Sequence, residues 1–135
     1  MTVQLSVAVR NARLDAIEST IGTSAILKIR TGAQPASCAT ADSGSVLATL
    51  SLPSDWMGAA ALGVKDLAGS WADTSADGTG TAGHFRIYDS GGTVCGLQGS
   101  VTATGGGGDM EVDNTSFAAG QAFSVTAATL TDGNA

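Results

Sequence analysis

The residues that could do chemistry are few and scattered in this chain. His84 is the only histidine, and acid–base catalysis by it would need a carboxylate or a nucleophile within hydrogen-bond reach. It falls in the stretch HFRIYDS, which has strand character, and a lone histidine there is more often structural. Neither a G-x-S-x-G nor an H-E-x-x-H motif occurs. We therefore predict that the protein is not an enzyme and has no catalytic residues.

Four consecutive glycines, residues 105–108, suggest a second kind of chemistry, a loop that cradles phosphate. Such loops carry Lys and Ser or Thr and open a helix, whose first amides bind the anion. Here Asp109 and Met110 follow the glycines, the next residues have strand or turn character, and the carboxylate would repel phosphate. The run is therefore predicted to be a sharp connection after a strand that ends near Thr104, with glycine supplying positive φ angles at low steric cost.

Two pairs of aspartates are spaced four apart in predicted loops, Asp73 with Asp77 and Asp109 with Asp113. Calcium sites gather more oxygen ligands than this, and the glutamate of an EF-hand loop is missing. Solvated carboxylates are the simpler interpretation, and a weak divalent site at a subunit contact is the alternative. We expect no metal and no cofactor.

Cys38 and Cys95 are the only cysteines and lie far apart in the sequence. Each stands without a second cysteine or histidine beside it, so the spacing of a metal site is missing. Two buried thiols and a disulfide, within one chain or between chains, both remain open. A disulfide would be unexpected in a reducing cytosol but could form after release from the cell.

Trp56, Trp71 and Tyr88 are the large amphipathic side chains of a chain in which only 4% of residues are aromatic. Such side chains anchor either a core or an interface. Both roles remain open, and the three residues are candidate interface positions.

One helix is predicted over residues 3–21, with Gly22 as its C-terminal cap. Arg10 interrupts its apolar stripe. The stripe consists of Val3, Val7, Leu14, Ile17 and Ile21. A single apolar stripe must be buried against something, either its own domain or a neighbouring subunit. Both alternatives remain open, so these five residues are also candidate interface positions.

After Gly22 the apolar residues alternate with a period of two. The alternating runs are bounded by Gly, Asp, Ser, Asn or Pro, as strands are. They are SAILKIRTG, SVLATLSL, HFRIYDS, TVCGLQGSVTAT and AFSVTAATL, with shorter pieces near GSWAD and MEVDN. The segment DSGGT is predicted to be a hairpin connection. The segment PSDWMGAAALG could hold a helical turn capped by Ser54.

These signals predict an all-β chain, an antiparallel β-sandwich or jelly roll of about seven or eight strands with one N-terminal α-helix. Residues 1–22 would form the helix, as a packing or docking element. Residues 23–135 would form a single β-sandwich or jelly-roll domain.

The chain has 135 residues and a net charge of −6. Its basic residues form no run in the sequence, which disfavours nucleic-acid binding because phosphate neutralisation needs clustered Lys and Arg. No stretch reaches the roughly 18 apolar residues of a membrane span. The N-terminus carries charges where a secretory signal is apolar. We expect a protein made in the host cytoplasm, with no nucleic-acid and no membrane partner.

Residues 11–38, 52–57 and 80–135 resemble a family of small structural proteins of tailed bacteriophages. The stretches that carry the resemblance include NARLDAIESTIG, LPSDWM and GHFRIYDSGGTVCGLQGS. With the acidic charge and the β pattern, the resemblance implies a capsid decoration, or cement, protein on the virion surface. Its partners would be the major capsid protein and further copies of itself. A tail or connector component is one alternative. A carbohydrate-binding module, which would need exposed aromatic residues, is another.

Overall fold

The computed structural model describes residues 3–132, so residues 1, 2 and 133–135 of the predicted segments lie outside the described residues. Within that range the chain has one helix and nine strands. They are α1 Val7–Ile21, β1 Ile26–Thr31, β2 Val46–Ser51, β3 Val64–Asp66, β4 Ala72–Asp73, β5 Gly80–Tyr88, β6 Cys95–Ala103, β7 Met110–Val112, β8 Ser116–Phe117 and β9 Phe123–Thr131. The prediction of a mainly β chain with one helix is confirmed.

Helix α1 begins at Val7, whereas the sequence pattern predicted a start at residue 3. Ser6 is its N-cap, because the backbone of Ser6 is extended and its side chain accepts a hydrogen bond from the Val9 amide. The helix ends as predicted at Gly22, whose amide donates to the Glu18 carbonyl at 2.9 Å. Among residues 3–132, no helix has the combined length and apolar character that crossing a membrane requires.

The main path through the sheet has the order β2-β1-β5-β6-β7-β9-β3, with β8 paired to β5 and β4 paired to β9. All strand pairs are antiparallel except β6 with β7, which run parallel. The prediction of a wholly antiparallel arrangement is therefore wrong at this pair. The reason is the glycine run after β6, which turns the chain back so that β7 lies beside β6 in the same direction.

Residues 57–67 form a hairpin arm, so the helical turn predicted in this segment is wrong. Met57 bridges to Leu67 and Ala61 bridges to Val64. The second half of the arm also pairs with β9, and this tertiary pairing overrides the helix propensity of the alanines. The predicted hairpin DSGGT is confirmed, because it joins the antiparallel strands β5 and β6.

The second half of strand β5, from His84 to Tyr88, is buried on both of its faces, and it positions the candidate site. Phe85 and Ile87 point into the apolar core. His84, Arg86 and Tyr88 alternate with them and are also buried, on the opposite face. Because His84, Arg86 and Tyr88 are buried, something must cover this face of the sheet. The cover is a loop, the connection between β1 and β2.

Candidate functional site

Strands β1 and β5 place basic side chains side by side on the sheet face that points away from the core. Lys28 lies opposite Arg86, and Arg30 lies opposite His84. Arg30, His84 and Arg86 are buried, and Lys28 is half-buried. Three of the six Lys and Arg residues of the chain therefore meet here, although they are apart in the sequence. We call these four residues the basic face.

The connection between β1 and β2, residues 32–45, covers the basic face, and we call it the flap. Its Asp42 lies between two guanidinium groups. Asp42 Oδ1 accepts hydrogen bonds from Arg86 Nη1 at 2.8 Å and from the Tyr88 hydroxyl at 2.6 Å. Asp42 Oδ2 accepts from Arg30 Nη2 at 3.0 Å. One carboxylate thus pairs with two cations, an arrangement that we call the flap clamp.

Flap carbonyls complete the hydrogen bonding of Arg86. Its Nη2 donates to the carbonyls of Ser37 and Thr40, both at 3.0 Å. Its Nε donates to Gln98 Oε1 at 3.1 Å, and the Gln98 amide donates in turn to the Pro35 carbonyl at 2.7 Å. A buried guanidinium is tolerated only when its donors are satisfied, so the flap and the basic face depend on each other.

A disulfide fixes the flap to the sheet. Cys38, in the flap, is bonded to Cys95 at the start of β6, and their Cα atoms are 5.2 Å apart. This separation lies in the usual range for a disulfide. The sequence left open whether the two cysteines are free thiols or form a disulfide within or between chains. In the structure they form a disulfide within one chain.

The pKa shifts at the flap clamp follow from its charges. Burial alone would raise the pKa of Asp42, but the hydrogen bond from Tyr88 and the charges of Arg30 and Arg86 outweigh it and hold the pKa below its ordinary value. Burial, helped by the hydrogen bond to Asp42, raises the pKa of Tyr88. The clamp is therefore a carboxylate, a neutral phenol and two guanidinium groups at neutral pH.

Two buried nitrogen atoms of the basic face have no hydrogen-bond partner, Arg30 Nε and His84 Nε2. The other ring nitrogen of His84, Nδ1, lies 2.9 Å from the Gly32 carbonyl and therefore carries a proton. His84 is thus oriented by a flap carbonyl, and its side chain is fully buried.

The helix is attached to the domain by a second ionic cluster, which we call the helix clamp. Lys65 Nζ lies 2.7 Å from Asp15 Oδ1 and 3.1 Å from Glu18 Oε2, and it donates to the Gly58 carbonyl at 2.9 Å. Burial alone would lower the pKa of Lys65, but the hydrogen bonds and charges of the two carboxylates outweigh it and raise the pKa. One buried ammonium therefore holds the helix through two carboxylates.

The apolar stripe of α1 is divided between two environments. Leu14 is buried, and Ile17 and Ile21 are half-buried, so this half of the helix packs on its own domain. Val3 and Val7 are exposed, with exposed fractions of 75% and 41%. Of the two alternatives left open for the stripe, Leu14 therefore packs on its own domain, while Val3 and Val7 are the most exposed of the five residues.

Leu62 is an exposed apolar residue that the sequence reasoning missed. It sits at the tip of the hairpin arm with φ of 52° and an exposed fraction of 77%. The Gly63 amide donates to Asn11 Oδ1 at 2.9 Å, which places the tip against α1. The signal was the pair Leu62–Gly63 between two short apolar runs, which was interpreted as part of a helical turn. We call the exposed apolar residues Val3, Val7, Val9 and Leu62 the N-terminal apolar surface, in which Val7 and Val9, two residues apart on α1, point in different directions.

Trp56, Trp71 and Tyr88 are all buried, so of the two roles left open for them, they take the interior one in this chain. Trp56 Nε1 donates to the Gly22 carbonyl at 3.0 Å, and Trp71 Nε1 donates to the Trp56 carbonyl at 3.2 Å. Tyr88 donates to Asp42. Each ring therefore contributes its apolar body to the interior and satisfies its polar atom internally, as core aromatics do.

The glycine run binds an anion of its own chain. Gly105 and Gly107 have φ of 85° and 80°, which confirms the prediction of positive φ angles. Their amides donate to the two carboxylate oxygens of Glu111 at 3.2 and 3.0 Å. The position that a phosphate would take in such a loop is thus occupied by Glu111.

Three of the four paired aspartates accept hydrogen bonds from backbone or side-chain groups of their own chain. Asp109 Oδ2 accepts from the amide and the hydroxyl of Ser100, both at 2.9 Å, and Asp113 Oδ1 accepts from the Ser124 amide at 3.1 Å. Asp73 Oδ1 accepts from the Ser75 amide at 3.0 Å. Over residues 3–132, no group of three or more His, Cys, Asp or Glu side chains is placed to hold a metal ion.

No protein-family model, curated protein or solved structure matches this chain. Its function must therefore be argued from its own surfaces. Two stand out, the exposed N-terminal apolar surface and the basic face beneath the flap. The N-terminal apolar surface is exposed and can contact a partner directly, whereas the basic face is covered by the flap.

Proposed function

We propose that this chain is a structural protein of a bacteriophage virion. It is a decoration protein that binds the outside of the head and stabilises contacts between major capsid protein subunits, as a homo-oligomer. The observation that carries the proposal is the N-terminal apolar surface, which exposes Leu62 at the tip of an anchored hairpin. The resemblance to small phage structural proteins supplies the identity of the particle.

Leu62 occupies a backbone conformation that leucine rarely adopts. Ala61 and Val64 exchange two backbone hydrogen bonds of 2.9 Å, and the central residues Leu62 and Gly63 both have positive φ, at 52° and 75°. This is the pattern of a type I′ turn, in which Asn-Gly or Asp-Gly is favoured. Residues held in such regions cost on the order of 1 kcal/mol and concentrate at functional positions. A partner that buries the leucine explains why it stands there.

Charge supports an outside location. The chain carries a net charge of −6, and Arg30 and Arg86, two of its six Lys and Arg residues, are buried under the flap. Its accessible surface is therefore strongly acidic and is repelled by packaged nucleic acid. Stabilisation would come from buried area repeated at many symmetric sites, each comparable with the roughly 1,200–2,000 Å² of ordinary specific interfaces.

We further propose that the sheet curls into an antiparallel-dominated β-sandwich, or jelly roll, of the kind that capsid-associated proteins use. Supporting this, Leu47 and Phe85 from one half of the sheet belong to the same core cluster as Val112 and Phe123 from the other half. Nuclear Overhauser contacts between Leu47 and Phe123 side chains would test this closure. Their absence would indicate an open sheet.

The decisive experiment compares heads with and without the protein. Heads carrying the wild-type chain should release their contents at a higher temperature than stripped heads. The double variant Val7→Ser/Leu62→Asn should bind heads weakly and give no such rise. Val94→Ser removes a valine that is 62% exposed outside the apolar surface, and it should behave like the wild type.

Two results would contradict the proposal. One is unchanged thermal release from heads that carry the protein, and the other is labelling of the tail alone. The second result would favour a tail or connector component. A carbohydrate-binding module would need exposed rings to stack on sugars, and Trp56, Trp71 and Tyr88 are buried.

A further inference from the structure

The basic face is an unusual way to build a sheet. Lys28 and Arg86 are directly opposite each other on adjacent strands, a position in which like charges destabilise. Apolar residues of similar volume would stabilise the same position at least as well as buried ions do. The fold therefore gains no evident stability from these residue types, and a binding role would account for them.

Asp42 is held in the way that proteins hold an external carboxylate. Two guanidinium groups and a phenol converge on its two oxygen atoms at 2.6 to 3.0 Å. Charge-assisted bonds of this kind are the strong ones, and arginine pairs recognise carboxylate and phosphate. The donors come from β1 and β5, the centre of the sheet, whereas the acceptor comes from the flap. The hydrogen-bond donors therefore belong to the sheet, whereas the carboxylate that they bind belongs to the flap.

The donor set also exceeds what Asp42 uses. Arg30 Nε has no acceptor although Arg30 is buried, and two guanidinium cations face a single carboxylate. The side chain of Asp42 is 40% exposed, whereas those of Arg30 and Arg86 are 9% and 2% exposed. The bound anion therefore lies at the outer rim, where another anion could replace it without moving the sheet.

We propose that the basic face is a binding site for an oxyanion, the carboxylate or phosphate group of an external ligand, and that Asp42 occupies it while the Cys38–Cys95 bond holds the flap in place. Reduction of that bond permits exchange. A dithiol breaks the S–S bond by thiol–disulfide exchange and is itself oxidised to a cyclic disulfide. Cys38 and Cys95 take up the two electrons and two protons as thiols.

The first experiment tests whether the basic face binds an external oxyanion. Asp42→Ala empties the site, and acetate or inorganic phosphate is added at an ionic strength matched with chloride. At about ten times its Kd, the bound anion should raise the Tm of the variant by about 4 °C. The control Asp55→Ala removes an exposed carboxylate outside the flap, and its Tm should not respond. Equal responses of the two variants would refute the site.

If Asp42→Ala does not fold, Asp42→Asn is measured in the same way, because it keeps the shape of the side chain and removes the charge. The acetate and phosphate arms identify the ligand class. A response to acetate alone indicates a carboxylate site, and a larger response to phosphate indicates that the free Arg30 donor is used. Failure of both anions with both variants overturns the proposal.

The second experiment tests control by the disulfide. The Nε–Hε resonances of Arg30 and Arg86 are followed by NMR while acetate or phosphate is added. We expect shifts for the reduced wild type and for the double variant Cys38→Ser/Cys95→Ser, and none for the oxidised wild type. Shifts of equal size in the oxidised protein would refute control by the disulfide. Their absence from all three samples would refute exchange of Asp42.

Discussion

The two ionic clusters that attach outer segments to this domain have opposite charge arrangements. In the helix clamp a single buried cation, Lys65, is shared by the carboxylates of Asp15 and Glu18. In the flap clamp a single carboxylate, Asp42, is shared by two buried cations. The helix clamp has a spare carboxylate if one is lost, whereas the flap clamp has no substitute for Asp42.

The disulfide lies beside the flap clamp, the cluster that depends on a single carboxylate. The flap is joined to β6 by Cys38–Cys95, while the helix is held by non-covalent contacts that include Arg13 with Asp132 at 3.1 Å. The comparison suggests a division of roles. The helix clamp is a permanent attachment, and the flap clamp is a contact whose strength depends on the redox state of two cysteines.

Removing the disulfide should give the largest effect. The bond closes a loop with a sequence separation of 57 residues, and the chain-entropy relation assigns about 4 kcal/mol to a loop of that size. Cys38→Ser/Cys95→Ser should lower the free energy of unfolding by about that amount, measured by urea denaturation. The reduced wild type should match the variant. A loss well below 1 kcal/mol would show that the flap clamp alone holds the flap.

The next largest effect should separate the two clamps. Asp42→Ala leaves Arg30 and Arg86 buried without a carboxylate, and breaking a buried ion pair in this way costs about 3 kcal/mol or more. Lys65→Met leaves Asp15 and Glu18 nearer to water, so we expect about 2 kcal/mol, a smaller loss than the usual range for buried pairs. Denaturant unfolding of both variants at neutral pH measures the difference. An equal or reversed order would contradict the comparison.

Acid should abolish the effect of Asp42→Ala. Because the folded-state pKa of Asp42 is lowered, its contribution to stability is present above the unfolded pKa of about 3.9 and is lost as pH falls through the folded pKa. The stability difference between wild type and variant should be constant above about pH 5 and shrink below about pH 4. A difference that persists in strong acid would assign the effect to packing and not to charge.

The sequence was most informative where one physical signal dominated. The alternation of Leu27 and Ile29 with charged residues predicted β1, and Gly22 marked the helix end, because burial and backbone conformation leave local traces. The basic face left no such local trace in the sequence. Its residues lie on two strands that are far apart in the chain, and only the register of β1 with β5 brings Arg30 beside His84.

The helix stripe shows a different limit of sequence reasoning. Val3, Val7, Leu14, Ile17 and Ile21 look alike by periodicity, yet only the second half is covered. The first half lies beyond the packing of α1 against β3 and β6, and no local pattern reports where a neighbouring element ends. Leu62 was missed for a related reason, since the alanines before it favour a helix until the pairing with β9 imposes a hairpin.

The smallest expected effect on stability separates docking from folding. Leu62→Asn places at the first central position of the turn a residue that tolerates positive φ, so it should raise the free energy of unfolding by about 0.5–1 kcal/mol. Both clamps should be unaffected, because Leu62 belongs to neither. The same variant should bind heads more weakly than the wild type, measured by co-sedimentation. A stabilised variant that still binds fully would show that the leucine is not a docking residue, and a destabilised one would show that the turn itself requires it.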